Sequence, residues 1–104
     1  MSYEFKYDNR LGIALPVLDR DWEEYSLREQ ATILVEWEAH RSDIPERIKQ
    51  IEAIINAKQE KLNIEENFIR SCELNHEIAD LASTINDLNL WFRIQQDTDT
   101  KVHM

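Results

Sequence analysis

The sequence predicts an all-α fold: a helical hairpin or small helical bundle with one long coiled-coil-like helical region, a short extended N-terminal arm, and association into a dimer. Three observations carry this expectation. The 104 residues include one Gly and two Pro, against roughly 7% and 5% in average chains, so there is little turn-forming material and few, long elements are favoured. Neither residue type occurs from Glu46 to Gln96. Within that stretch apolar side chains recur at alternating steps of three and four, the spacing of a helix packed along one stripe. A chain this short holds one core and leaves a large share of its surface in water, which favours self-association.

Residues 1–18 form the expected arm. Tyr3, Phe5 and Tyr7 alternate with Glu4, Lys6 and Asp8, the period of a half-buried strand. A lone strand is not stable, so Leu11–Leu18 could fold back on it, or the arm could lie over the helices or pair with a second chain. Pro16 biases Leu15 to extended backbone.

The helical domain spans 19–96. Asp21 with Glu24 and Ser26 with Glu29 both have capping-box spacing, so a first helix is expected from about residue 22 or 27 to 41. Leu27, Ala31, Leu34 and Trp37, with Ile33 beside them, form its predicted inner face. His40, near the C-terminus, suits the negative end of the helix dipole. In "RSDIPER", Ser42 and Asp43 are N-cap candidates and Pro45 fits a first turn, so a sharp corner precedes the next helix.

The long region, about 45–96, carries Ile44, Ile48, Ile51, Ile55, Leu62, Ile69 and Cys72 on one stripe, with Lys58 and Glu65 at two intervening positions. This phase passes through Asn63 and predicts no turn there. Leu74, Ile78, Leu81, Ile85, Leu88 and Phe92 then continue on a shifted register, so the contact face changes within 71–77. Either the chain folds back near Asn75, or one helix of about 51 residues, about 77 Å long, rotates its face between partners. The continuous form would need a second chain, and a homodimer is expected. Trp91 and Phe92 project about 100° apart, and residues 97–104 are expected to be a flexible tail.

Charge excludes some function classes. Twelve basic and twenty-one acidic residues leave a net charge of −9, with nine acids against three bases in residues 19–46. Duplex nucleic acid and anionic membrane surfaces would be repelled, and a basic or helical protein partner is expected. The apolar runs "LGIALPVL" and "ATILV" fall short of the roughly 18–20 residues that cross a bilayer. One Cys forms no intrachain disulfide, and the N-terminus lacks the basic start of a signal peptide, so the cytoplasm is the expected location.

Site chemistry is sparse. Glu73 and His76 form the Glu-x-x-His pair used in di-iron helical bundles, which need two such pairs and two further carboxylates. Cys72, His76 and Asp80 offer an alternative thiolate, imidazole and carboxylate stripe. A solvated Glu and an exposed or hydrogen-bonded His account for the pattern without a metal, and a buried Cys suits a heptad stripe. No Gly-rich phosphate loop, nucleophile elbow or paired zinc cysteines occur, so no catalytic residue and no cofactor are expected. The reading is a non-catalytic protein–protein interaction module, an adaptor, regulator or small chaperone. Trp22, Tyr25, Trp37, Trp91 and Phe92 are candidate contacts, because aromatics concentrate at interface centres; each suits a plain core equally. Two rival classes are a metal-binding bundle completed by dimerisation and an acidic nucleic-acid mimic that inhibits a DNA-binding protein.

Overall fold

A computed structural model describes residues 2–102, with side chains described for residues 2–94. The order is β1 (Tyr3–Asp8), β2 (Ile13–Leu18), one 3₁₀ turn (Trp22–Glu24), α1 (Leu27–Arg41), α2 (Ile44–Ile64) and α3 (Phe68–Val102). The fold is mostly helical, as the sequence indicates, with a two-stranded antiparallel sheet at its N-terminus.

The arm folds back on itself. β1 pairs with β2 from Tyr3 opposite Leu18 to Asp8 opposite Ile13, which sets Pro16 opposite Phe5. Gly12 closes the connecting loop at φ 77°, backbone that glycine adopts at least cost. Its N–H donates to the Asp8 carbonyl at 2.7 Å, and the Leu11 N–H donates to Asp8 Oδ1 at 2.8 Å. The loop delivers Leu11 and Ile13 into the core.

Helix α1 begins at the second of the two candidate boxes. Ser26 Oγ accepts from the Glu29 N–H at 3.1 Å and Glu29 Oε1 accepts from the Ser26 N–H at 3.0 Å, whereas Asp21 caps nothing and precedes only the 3₁₀ turn. The inner face differs from the predicted one. Ile33 and Trp37 are buried, with Gln30, Leu34 and His40 half-buried beside them, while Leu27 and Ala31 are exposed. The reason is local: the Gln30 side-chain amide donates to the Trp22 carbonyl at 2.9 Å and the Tyr25 carbonyl at 3.3 Å, which turns Gln30 inward and rotates Leu27 out. The corner lies where "RSDIPER" places it, with Pro45 in the first turn of α2.

The chain then reverses, at Glu65–Asn67. Neither an uninterrupted helix over 45–96 nor a turn near Asn75 occurs. Along α2 the predicted stripe holds through Leu62, but Ile69 and Cys72 belong to the other helix and are exposed. On α3 the shifted register is the inward one: Leu74 and Leu88 are buried and Ile78, Leu81, Ile85 and Phe92 are half-buried. Helix α3 runs on to Val102, past the end expected at 96, and residues 103–104 lie outside the described residues.

Leu11, Ile13, Trp37, Ile44, Ile51 and Leu88 form the main core, covered by Phe5, Leu15, Ile48, Ile55, Leu81, Ile85, Trp91 and Phe92. Every element of regular strand or α-helix contributes, so the core sits at the base of the helical hairpin. The rest of α2 and α3 extends beyond it as a stalk, and the molecule measures 59 × 26 × 19 Å. Its radius of gyration is 18.1 Å, against about 13 Å for a compact domain of this length.

Candidate functional site at the hairpin tip

The reversal at the stalk's end is built without glycine. Glu65 takes an extended backbone at φ −79° and ψ 123°, which ends α2. Asn67 then starts α3: its side-chain oxygen accepts from the Arg70 N–H at 3.0 Å, and its carbonyl accepts from the Ser71 N–H at 2.9 Å. Asparagine is among the best residues for satisfying the unpaired N–H groups of a first turn.

Below the turn lies a layer of charges between the two helices. Lys58 Nζ meets Glu77 Oε1 at 2.8 Å, and Arg70 Nη1 meets Glu73 Oε2 at 3.0 Å and Glu77 Oε2 at 3.3 Å. The hydrogen bond from Lys58 holds the Glu77 carboxyl below its ordinary range, and Arg70 lowers it further; Glu73, bonding to Arg70, holds that guanidinium above its ordinary value. Lys58 is therefore a partnered member of the α2 stripe. A layer of this kind specifies how two helices align, because a shifted register would strand its charges.

The pairing leaves three large apolar side chains without cover. Ile64, Phe68 and Ile69 are 81%, 79% and 70% exposed, and they flank the turn on both sides. Glu60 and Glu66 beside them are also exposed. Single exposed apolar residues are ordinary, but a cluster rimmed by charges is the form of an interaction site. A second exposed apolar strip runs along the outside of α1, where Leu27 and Val35 are 83% and 74% exposed.

The five aromatic contact candidates lie elsewhere. Tyr25 and Trp37 are buried within the chain. The Tyr25 hydroxyl donates to the Ser2 carbonyl at 2.5 Å and accepts from the Asp19 N–H at 3.3 Å, which ties the start of β1 to the segment entering α1. Trp91 packs edge-on to Trp37, ring centroids 5.7 Å apart. Phe92 lies under the Arg41 guanidinium at 4.1 Å, and Arg41 Nε donates to the Phe92 carbonyl at 2.9 Å. Trp22 is half-buried beside Tyr25. His40 stacks on Phe5 at 5.0 Å.

Nor do the metal candidates converge within the chain. Glu73 is engaged by Arg70, Cys72 is exposed, and the exposed His76 reaches Asp80 only at 3.9 Å. Among the described residues, no group of three or more His, Cys, Asp or Glu side chains is arranged to hold a metal ion. Among them also, no helix is long and apolar enough to cross a membrane.

The tip was missed in the sequence because Ile69 and Cys72 happen to continue the α2 phase. The signal that could have located it is "NIEENFIR": Asn67 three residues before Arg70 is an N-cap, and Ile64 and Phe68 both fall off the stripe. Compared with protein-family models, with curated proteins and with solved structures, the chain matches none.

Proposed function

We propose that the protein is a non-catalytic interaction module that presents the hairpin tip to a protein partner. The observation that supports this most directly is the exposure of Ile64, Phe68 and Ile69 together at the end of a stalk set away from the core. A core placed at the base leaves the tip with no folding role, so its apolar surface is available for a second molecule. Exposed Glu60 and Glu66 outnumber the exposed Lys61 beside the tip, and with the net charge of −9 they favour a partner whose apolar pocket is bordered by Lys or Arg; the charges accelerate encounter more than they tighten the complex.

The test has two stages. A photo-crosslinking phenylalanine analogue at position 68, introduced in cells, identifies the protein that contacts the tip. That protein, purified, is then titrated against the wild type and a Phe68→Ser/Ile69→Ser variant. Loss of a central anchor should weaken binding by about tenfold or more, and affinity should fall as salt rises. A partner that binds both proteins equally would remove the tip from the account.

A further inference from the structure

We infer that a second copy of the chain docks along the free edge of β1, giving a four-stranded antiparallel sheet in which Phe5 of one protomer lies opposite Phe5 of its partner. The inference starts from the strand's outer edge. The sheet has only β1 and β2 among the described residues, and α1 packs against β2. The edge of β1 away from β2 therefore meets no further strand, and unpaired edges are templates for another chain.

Hydrogen-bond parity tells which residues present their backbone there. The Asp19 N–H donates to the Ser2 carbonyl at 3.3 Å, so the Ser2 and Asp19 pair exchanges bonds across the sheet. Bonded and non-bonded pairs alternate in an antiparallel ladder, which turns the backbone groups of Glu4, Lys6 and Asp8 toward β2 and those of Tyr3, Phe5 and Tyr7 outward. The same parity puts Pro16, opposite Phe5, at a position where β1 needs no N–H from it.

The side chains then select the register. Residues 3–7 read Tyr-Glu-Phe-Lys-Tyr, which is symmetric about Phe5 in shape and antisymmetric in charge. A two-fold axis through the Phe5 pair sets Glu4 opposite Lys6 and Tyr3 opposite Tyr7 of the other copy, twice each. Opposite charges and aromatic pairs directly across a ladder are both favourable. Sliding the strands by two residues would set Glu4 against Glu4 or Lys6 against Lys6. Among the described residues of one chain Glu4 and Lys6 pair with each other, at 3.3 Å and largely in water, and Tyr7 is 66% exposed, so all three are available. The two β2 strands would stand three strand spacings apart, about 14 Å, wider than the 8–10 Å of helices in direct contact, which leaves room for both α1 helices on one face. A strand pair of six residues is smaller than a standard interface, so the dimer is weak and concentration-dependent.

Mixed-cysteine trapping tests the register in a Cys72→Ser background. Glu4→Cys and Lys6→Cys variants, mixed and oxidised with diamide at millimolar protein, should give a disulfide-linked dimer. Either variant alone should not, because like positions sit on the diagonal at about 7–8 Å, beyond disulfide reach. In sedimentation equilibrium, Glu4→Lys or Lys6→Glu should weaken the dimer by about tenfold and the double swap should restore it. Circular dichroism confirms that these exposed substitutions leave the fold intact. A protein that stays monomeric at millimolar concentration with no mixed crosslink, or a dimer indifferent to both reversals, would overturn the inference.

Discussion

Replacing the single glycine, Gly12→Ala, tests whether the β-loop is held against the helices as described. Two costs arise together. At φ 77° an L-residue is disfavoured by about 1–2 kcal/mol. A new Cβ would also collide with the Arg47 side chain, whose Nε, Cδ and Cζ lie closest to it. Arg47 can move away, but only by giving up the 3.0 Å hydrogen bond from its Nε to the Leu11 carbonyl, and a bond involving a charged group is worth about 1.5–3 kcal/mol. Against this, alanine restricts the unfolded chain and returns about 0.4–1 kcal/mol. The net loss is about 1.5–4.5 kcal/mol, a large fraction of the 5–15 kcal/mol typical of a domain. Urea unfolding followed by tryptophan fluorescence reads it, since Trp37 and Trp91 lie in or against the core. The same substitution made in an Arg47→Ala background should cost only about 1 kcal/mol, because the collision and the lost bond are then absent. A loss below about 0.5 kcal/mol, or equal losses in the two backgrounds, would refute the reasoning.

Other perturbations separate the base of the molecule from its tip. Leu88→Ala, at a site with no exposure in the core shared with residues of β2, α1 and α2, should cost about 3–5 kcal/mol in the same urea assay; a cost near 1 kcal/mol would mean that this core is not closed. Asn67→Ala should cost about 1 kcal/mol and Asn67→Gly only a few tenths, and equal effects would show that the side-chain cap is not what starts α3. Phe68→Ser should change stability by less than about 0.5 kcal/mol, and a larger loss would show the tip to be structural. Glu77 is stabilised in its charged form, first by Lys58, so its contribution is complete above its unfolded pKa near 4.5 and fades as pH falls through the lower folded value. Stability measured down through that window should decline less steeply in Glu77→Gln than in the wild type; parallel curves would contradict the charged layer.

Much of the base was legible in the sequence, for physical reasons that can be named. The alternation in residues 3–8 is the period of a strand, the Ser26 and Glu29 box is one of two legible starts for α1 and the one the structure uses, and Pro45 permits a first turn and nothing further into a helix. Ile44 through Leu62 and Leu74 through Phe92 point inward because each keeps the phase of its own helix. What misled was an apolar phase that passes unbroken through Asn63, with no glycine or proline beside it to mark a reversal. Asn67 supplies the cap for a new helix, and a single extended residue, Glu65, is enough to stop the old one. Ile69 and Cys72 fall in phase with α2 by coincidence of spacing, and periodicity alone does not show that a phase has passed from one helix to the next. The rotation of α1 was equally hidden, since it depends on Gln30 reaching two carbonyls in the preceding turn. The site followed the fold: whether the helix ran on unbroken or reversed near Asn75, Ile69 fell on the inner stripe and Ile64 and Phe68 lay within a helix rather than at a tip, while the candidate contacts were aromatics, two of them buried.

The interaction surface exists only if the chain reverses at Glu65–Asn67, so the most direct measurement is a distance across the stalk. Spin labels at Lys49 and Ala82, both exposed, in a Cys72→Ser background, can be read by pulsed electron resonance, diluted with unlabelled protein to suppress intermolecular signals. Packed antiparallel helices lie about 8–10 Å apart, so with the label arms added the distribution should centre below about 25 Å. A continuous helix would separate the same positions by about 50 Å at 1.5 Å per residue. A short distance supports the hairpin and its exposed tip; a distribution centred near the longer value would contradict both.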